Sequence, residues 1–100
     1  MVITKRKPRH PGGLITRQYL EPLNMSIIEL ASILGISDNT LSEIVNERAR
    51  ITPDIALRLA NAFQTTPQLW LNLQNNYDLW CAANESDEWK NVAPIELEVS

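Results

Sequence analysis

The strongest pattern of apolar positions in this chain lies between Ser26 and Asn46. Two runs with spacings of three and four residues stand on either side of a glycine, and their members are Ile27, Leu30, Ala31 and Leu34, then Ile36, Leu41, Ile44 and Val45. Such spacing is typical of amphipathic helices. Ala31 is small enough for a second helix to cross closely, and Gly35 can adopt the positive φ that a tight turn needs. The window therefore predicts a helix-turn-helix, which makes DNA binding the first hypothesis.

Serine and threonine residues mark the predicted starts of four helices. Ser26 begins a capping box that is completed by Glu29, and Ser37 is a suitable N-cap. Thr52 and Thr66 are each followed by proline, which favours the first position of a helix. A further helix is expected to start at Gly12–Gly13. These signals predict an all-α domain of five helices, with approximate bounds 12–23, 27–34, 38–45, 53–63 and 67–83.

The two ends of the chain differ from its middle. Residues 1–11 are basic, and Pro8 and Pro11 block regular helix, so this segment is predicted to be a flexible arm. Residues 12–83 form the predicted DNA-binding domain, and residues 84–100 form an acidic tail. Within the tail, Ile95–Val99 alternates apolar and acidic residues. This alternation indicates either a short strand that pairs with a second copy or a neighbouring surface, or a disordered tail.

Composition is consistent with one small regulatory domain whose charge is unevenly divided. The chain has 100 residues, 44% of them hydrophobic, and a formal net charge of −3. Residues 1–64 carry eight Lys and Arg against six acids, whereas residues 65–100 carry one Lys against six acids. The first part can therefore face the phosphates of DNA, whereas the second is better suited to contact a basic partner or to be solvated by water. The chain has neither a membrane-length apolar run nor the apolar region of a signal peptide, so a cytoplasmic location without membrane contact is expected.

The residues expected to contact DNA lie on the second helix of the window and beside it, because the N-terminal part of this helix enters the major groove in helix-turn-helix proteins. Asn39 can pair with adenine, and Glu43 can accept from cytosine, although Glu43 also suits a solvated face. The predicted base-facing residues are Ser37, Asp38, Asn39, Thr40, Ser42, Glu43 and Asn46. The predicted phosphate contacts are Ser26, Arg17, Arg48, Arg50 and the arm residues Lys5, Arg6, Lys7 and Arg9.

Two observations weigh against strong binding by one such helix. Ser37 and Asp38 are also fully explained as helix-capping residues. In addition, the predicted reading face contains neither Lys nor Arg. Affinity must then come from the loop arginines, from the arm and from pairing of two copies.

The remaining residues that could carry chemistry favour packing over catalysis. The aromatic and apolar stripe of the fifth helix consists of Trp70, Leu73, Tyr77 and Trp80. It is predicted to pack in the core or at a dimer surface, the surface assigned to it here, rather than to stack on bases. His10 has no metal-ligating or relay partner at a suitable spacing, and Cys81 is the only cysteine. The sequence therefore predicts no catalytic residue, no metal and no cofactor, and the chain is not expected to be an enzyme.

Several segments resemble the Xre/Cro-type helix-turn-helix proteins and, within them, the HigA-like (VapI-like) antitoxins. The matching segments are His10–Gly12, Tyr19–Leu23, Asn46–Thr52, Ala56–Ala60, Thr66–Gln74 and Tyr77–Leu79. The Trp-Leu-Asn-Leu-Gln run that ends at Gln74 distinguishes this family from generic repressors. Two departures stand out: Ser37–Thr40 replaces a helix start that often contains arginine, and Glu47 and Ala49 stand where glycines are common.

The resemblance implies a lambda-repressor-like fold and a homodimer that binds its own promoter. It also implies neutralisation of a RelE-like (HigB-like), ribosome-dependent mRNA endonuclease encoded beside it. The family's DNA-contacting positions carry over to Ser37, Asn39, Thr40, Glu43, Asn46 and Arg48.

Two other functions stay open at this point. One is a stand-alone Xre-type repressor without a toxin partner, because small helix-turn-helix domains serve several regulatory roles. The other is a protein that neutralises a toxin but has lost operator binding, which the weakly charged reading helix would fit.

Overall fold

The structure is a computed structural model that describes residues 6–96. Within this range the chain forms five α-helices and no strand, which confirms the all-α prediction. The first, α1, spans Pro11–Ile15 and continues as a π-helical turn, Thr16–Leu20. The others are α2 (Ile27–Leu34), α3 (Asp38–Val45), α4 (Pro53–Phe63) and α5 (Pro67–Glu85), followed by a 3₁₀ turn, Glu88–Asn91.

The predicted start signals of α2 to α5 are confirmed as N-caps. The hydroxyls of Ser26, Ser37, Thr52 and Thr66 each accept a hydrogen bond from the backbone N–H three residues later. Each bond satisfies one of the amides that a helix start leaves unpaired. Ser26 Oγ also donates to Glu29 Oε1 at 3.2 Å, so the two side chains of the predicted capping box do meet.

The turn between α2 and α3 has the predicted left-handed glycine. Gly35 has φ 72°, and the Ile36 N–H returns to the Ala31 carbonyl at 3.1 Å, which closes the end of α2. Arg58 of α4 supports the same turn, because its Nη1 donates to the carbonyls of Leu34 (2.8 Å) and Gly35 (3.2 Å). The carbonyls that end α2 are therefore satisfied from another helix.

One apolar core joins all five helices. Its buried members are Ile15, Leu20, Leu30, Ala31, Leu34, Leu41, Ile44, Ile51, Ile55, Ala56, Leu59 and Trp70. Tyr19 stacks on Phe63 with ring centroids 3.6 Å apart, and both rings lie against Trp70. Of the core positions predicted for the helix-turn-helix window, Leu30, Leu41 and Ile44 are almost completely buried in this cluster. Ile27, Ile36 and Val45 are only partly buried and pack against it.

The predicted start and end of the first helix were both wrong by a few residues. His10 is the N-cap of α1, because its Nδ1 accepts from the Gly12 N–H at 2.9 Å, and His10 and Pro11 are buried. The boundary of the predicted arm therefore moves from residue 11 to residue 9. At the other end, the Glu21 N–H bonds to the Thr16 carbonyl at 2.9 Å, and the π-helical turn ends at Leu20, short of the predicted Leu23.

The C-terminal segment departs from the prediction as well. Helix α5 ends at Glu85, two residues beyond the predicted Ala83, and the 3₁₀ turn was not predicted. Residues 92–96 form no regular element, and Ile95 is exposed. The rest of the predicted strand, residues 97–99, lies outside the described residues.

Candidate nucleic-acid interface

The N-terminal turn of α3 presents its polar side chains to solvent. Ser37, Asp38, Asn39 and Thr40 are all exposed, and they follow the tight turn at Gly35. Because Leu41 and Ile44 are held in the core, the orientation of this turn is fixed by packing. The arrangement is the one by which a helix-turn-helix offers side chains to base edges in the major groove.

Within this turn, the hydroxyl groups are already partly engaged. Ser37 Oγ accepts from the Thr40 N–H at 3.1 Å and lies 2.7 Å from Thr40 Oγ1. Asn39, in contrast, projects its amide from an exposed helical position. An amide can both donate and accept, so Asn39 matches the N6 and N7 edge of adenine better than its neighbours do.

The C-terminal half of α3 is less accessible than its start. Glu43 and Ser42 are half-buried, whereas Asn46 is exposed and donates through Nδ2 to Ser42 Oγ at 3.3 Å. The Glu43 carbonyl accepts from the backbone N–H groups of Arg48 and Ala49, at 2.8 and 3.1 Å. The loop that carries Arg48 is thereby fastened to the end of the reading helix.

The two loop arginines differ in what they contact. Arg48 is exposed next to α3, as a phosphate contact requires. Arg50 instead donates from Nη2 to Asp78 Oδ2 of α5 at 2.7 Å, with both side chains substantially exposed. This ion pair leaves the other guanidinium donors of Arg50 available, since arginine has five of them.

A buried glutamine that the sequence did not mark as functional anchors this loop to α5. Gln74 is only 2% exposed, and its Oε1 accepts from the Ile51 N–H at 2.8 Å. Its Nε2 donates to Asp78 Oδ1 at 2.9 Å, and Asp78 in turn holds Arg50. The network fixes the loop after α3 from a helix more than twenty residues away.

We expect Gln74→Ala to lower the free energy of unfolding by about 2 kcal/mol, because the Ile51 N–H would be left buried without its acceptor. Gln68, which is exposed on the same helix, provides the matched control. Urea unfolding of Gln68→Ala is expected to stay within about 0.5 kcal/mol of wild type. Equal stability of the two variants would contradict the anchoring role of Gln74.

Three of the phosphate contacts predicted on the arm and first helix share one groove, whereas Arg6 does not line it and Lys5 lies outside the described residues. Lys7, Arg9 and Arg17 line a cavity of about 300 Å³ together with Pro8, His10, Gly13, Glu47 and Tyr77. The described part of the arm is thus held against the domain, with Lys7 Nζ 5.3 Å from the centre of the Tyr77 ring. Ser26 lies apart from this groove, at the exposed start of α2.

His10 is a buried residue in the wall of this groove. Burial lowers the pKa of His10 below its ordinary value of 6.5, and the nearby Glu47 and Asp78 and the Ala49 carbonyl oppose that shift only in part. The ring contacts Tyr77 edge-on at 4.9 Å. Since Nδ1 accepts from the Gly12 N–H, protonation at Nδ1 would break the N-cap of α1.

Because its pKa is lowered on folding, His10 makes stability depend on pH. Below pH 6.5 the unfolded chain binds a proton at His10 that the folded chain resists, so unfolding is favoured as the pH falls. We expect wild type to lose more stability between pH 7.5 and 5.5 than His10→Asn, which keeps a capping acceptor but does not titrate. If wild type and His10→Asn lose the same amount of thermal stability over this pH range, His10 is not the source of the pH dependence.

The four residues predicted to form a dimer surface do not share one environment. Trp70 is fully buried, and its Nε1 donates to Thr65 Oγ1 at 2.8 Å, so it belongs to the core of one chain and cannot contact a second. Leu73, Tyr77 and Trp80 are half-buried and stay candidates for such a surface. The prediction failed at Trp70 because helical spacing alone does not separate a core stripe from an interface stripe.

Between residues 6 and 96, no three His, Cys, Asp or Glu side chains are grouped as metal ligands would be. None of the helices in this range combines the length and apolar character needed to cross a membrane.

Comparison with known proteins gives the class of this fold and site. The helix-turn-helix family model matches residues 17–70. A helix-turn-helix transcriptional regulator of Haemophilus influenzae is 49% identical over 75% of this chain and 70% of its own length. Antitoxin HigA-1 of Vibrio cholerae is 37% identical over 92% of this chain and 88% of its own length.

A solved structure, Pseudomonas aeruginosa antitoxin HigA with the higBA promoter, is 35% identical and superimposes with a TM-score of 0.79. It matches 89% of this chain and 99% of its own. The chain therefore belongs to the Xre-type helix-turn-helix family, among the HigA- and VapI-like DNA-binding antitoxins. These proteins are regulators, and the resemblance inferred from the sequence is confirmed.

Proposed function

We propose that this chain pairs as a homodimer, binds an operator in its own promoter, represses that promoter and neutralises a RelE-like mRNA endonuclease encoded beside it. The observation that carries the proposal is the exposed start of α3, whose orientation is fixed by the buried Leu41 and Ile44. The similar HigA antitoxin of P. aeruginosa, solved with the higBA promoter, supports DNA as the ligand of this surface.

In the proposed complex, Asn39 contacts a base and the residues around α3 hold the DNA backbone. Ser37, Asp38, Thr40, Glu43 and Asn46 complete the base-facing surface. The phosphate contacts are Arg48 and Arg50 after α3, Arg17 beside the arm, and the helix starts at Ser26 and Ser37. Phosphate contacts provide most of the affinity, whereas the base contacts provide the choice of sequence.

Pairing of two copies supplies the selectivity that one helix lacks. A single reading helix covers too few base pairs to select an operator, whereas two helices about 34 Å apart read successive major grooves. The proposed pairing surface lies on the C-terminal half of α5, where Leu79 is 44% exposed, and it adjoins Tyr77 and Trp80, which Lys7 of the same chain covers. Trp89, 48% exposed on the following 3₁₀ turn, extends this apolar surface.

The acidic C-terminal region is the part best suited to a basic toxin. Glu85, Asp87 and Glu88 are exposed at the end of α5 and in the turn that follows. RelE-like nucleases tend to be basic, because they act on RNA, and charge complementarity would steer the two proteins together.

Two measurements test the two halves of this proposal. For repression, a reporter driven by the chain's own promoter is expected to fall in activity when the protein is supplied, and to stay unchanged when the promoter is scrambled. For neutralisation, the product of the adjacent reading frame is purified and titrated with the antitoxin. A stable complex with loss of mRNA cleavage supports the proposal, and the absence of both refutes the toxin partner.

The outcome also separates the two alternatives. Repression without a toxin complex would identify a stand-alone repressor, the function that the name of the H. influenzae relative favours. A toxin complex without repression would identify a neutralising protein that has lost its operator.

A further inference from the structure

An acidic residue stands between the cationic groups that flank the reading helix. Glu47 lines the groove of Lys7, Arg9 and Arg17 and also the neighbouring groove of Arg48 and Arg50. It follows directly after Asn46, the C-cap of α3. Its carboxylate thus belongs to the same surface as five cations that are candidates for DNA phosphates.

The cations of the first groove come from separate segments that the fold brings together. Lys7 lies over two aromatic rings of α5, with Nζ 5.3 Å from the Tyr77 centroid and 5.6 Å from the Trp80 centroid. Such contacts hold a lysine in place while its ammonium stays charged. Arg9 comes from the arm and Arg17 from the first helix. The groove therefore brings together positive charges that are spread over residues 7–17 of the sequence.

Glu47 adopts a backbone conformation that does not favour glutamate. Its φ is 63°, in the left-handed region, where a non-glycine residue costs about 1–2 kcal/mol. A glycine would avoid this cost. The negative charge of Glu47 also acts electrostatically on His10 and Tyr77, two residues that line the groove. An unfavourable backbone at the edge of a binding surface is often associated with function.

We propose that the groove of Lys7, Arg9 and Arg17 binds a backbone phosphate of the operator, and that Glu47 competes with that phosphate and sets its affinity. The inference rests on the proposed DNA binding, joins Lys7 and Arg9 to the phosphate contact already proposed for Arg17, and adds Glu47 as the competitor of that phosphate. A carboxylate in the groove attracts the cations that a phosphate needs and repels the phosphate itself. Operator binding is therefore weaker than the cations alone would allow, which keeps repression sensitive to salt and to protein concentration.

The test is Glu47→Gln, which removes the charge and keeps the backbone conformation. Fluorescence anisotropy with a duplex from the promoter is expected to give about tenfold tighter binding at low salt, with the gain shrinking as salt rises. Adding Arg17→Ala to Glu47→Gln is expected to cancel the gain. The matched charge control is Glu21→Gln, exposed just after the π-helical turn and outside both grooves, and it is expected to bind like wild type.

A second variant separates charge from backbone strain. Glu47→Gly is expected to tighten DNA binding as Glu47→Gln does and, in addition, to raise the melting temperature, because it relieves the left-handed conformation. If only Glu47→Gly tightens binding, or if Glu47→Gln binds DNA no more tightly than Glu21→Gln, the competing role of Glu47 is wrong. If wild type itself shows no salt-dependent binding to any duplex, the proposed function fails, and this inference fails with it.

Discussion

Gly12→Ala is expected to lower the free energy of unfolding by about 3 kcal/mol, the largest effect expected of a methyl group added at any of the three glycines. A Cβ at Gly12 would overlap the carbonyl oxygen of Ile44 and lie 2.9 Å from its carbonyl carbon. Both are backbone atoms of α3, so no side chain can rotate away. Either α1 or α3 would have to shift, and α3 is the helix that offers Asn39 to DNA. The loss is a large part of the stability of a domain this small.

The neighbouring glycine gives a matched control. A Cβ at Gly13 would meet Arg17 Nη1 at 2.9 Å, the far end of a flexible side chain that can move into solvent. Gly13→Ala is therefore expected to be close to neutral, or slightly stabilising within a helix. Thermal unfolding of both variants provides the measurement. If the two melt at the same temperature, the close approach of α1 to α3 is not what holds the reading helix.

The Arg48→Ala/Arg50→Ala double variant is expected to abolish operator binding at physiological salt. Each lost phosphate contact removes about 0.9 from the slope of log K against log salt, so the two arginines lost from each copy remove about 3.6 for the proposed dimer. The cations of the first groove and the helix starts remain, but the reading face adds none, so too few phosphate contacts are left to hold the operator at physiological salt. Gel shifts against the promoter duplex over a salt series measure both the affinity and the slope.

Two further variants separate the roles of Arg50. Asp78→Asn removes the charge that holds Arg50, whose Nη2 lies 2.7 Å from Asp78 Oδ2. If Arg50 contacts phosphate, this variant is expected to bind DNA at least as tightly as wild type. If Arg50 only fastens the loop to α5, it is expected to weaken binding as Arg50→Ala does. Lys90→Ala, remote on the 3₁₀ turn, controls for net charge. A double arginine variant with the wild-type salt slope would refute both phosphate assignments.

The local elements of this fold could be predicted because their causes are local. The serine and threonine N-caps act on an amide three residues away, and the left-handed glycine closes the helix in which it ends. The start of α1 was misplaced for a different reason: the N-cap is His10, a residue that rarely caps a helix. Its capping role depends on burial beside Tyr77, which lies 67 residues away in the sequence.

In the candidate site, too, the features with local causes could be predicted from the sequence, whereas those that depend on long-range contacts could not. The exposed start of α3 followed from its position in the helix-turn-helix pattern. The pairing of Arg50 with Asp78 and the bond from Ile51 to Gln74 span 28 and 23 residues, and no periodicity indicates them. Trp70 is likewise a core residue because Tyr19 and Phe63 pack against it, and these contacts between separate helices are not visible in the spacing of α5 alone. In the sequence, Glu47 is distinguished only as a departure from glycine. Its position between two basic grooves depends on the tertiary structure and cannot be predicted from spacing.

The central claim is that α3 reads a specific operator, and Asn39→Ala tests it most directly. Alanine favours helix more than asparagine does, so the variant is expected to fold normally. Anisotropy titrations compare the promoter duplex with a scrambled duplex at several salt concentrations. The predicted result is a loss of about 1–3 kcal/mol of preference for the promoter duplex, with an unchanged salt slope. An unchanged preference for the promoter duplex in Asn39→Ala would contradict the assignment of α3 as the reading helix.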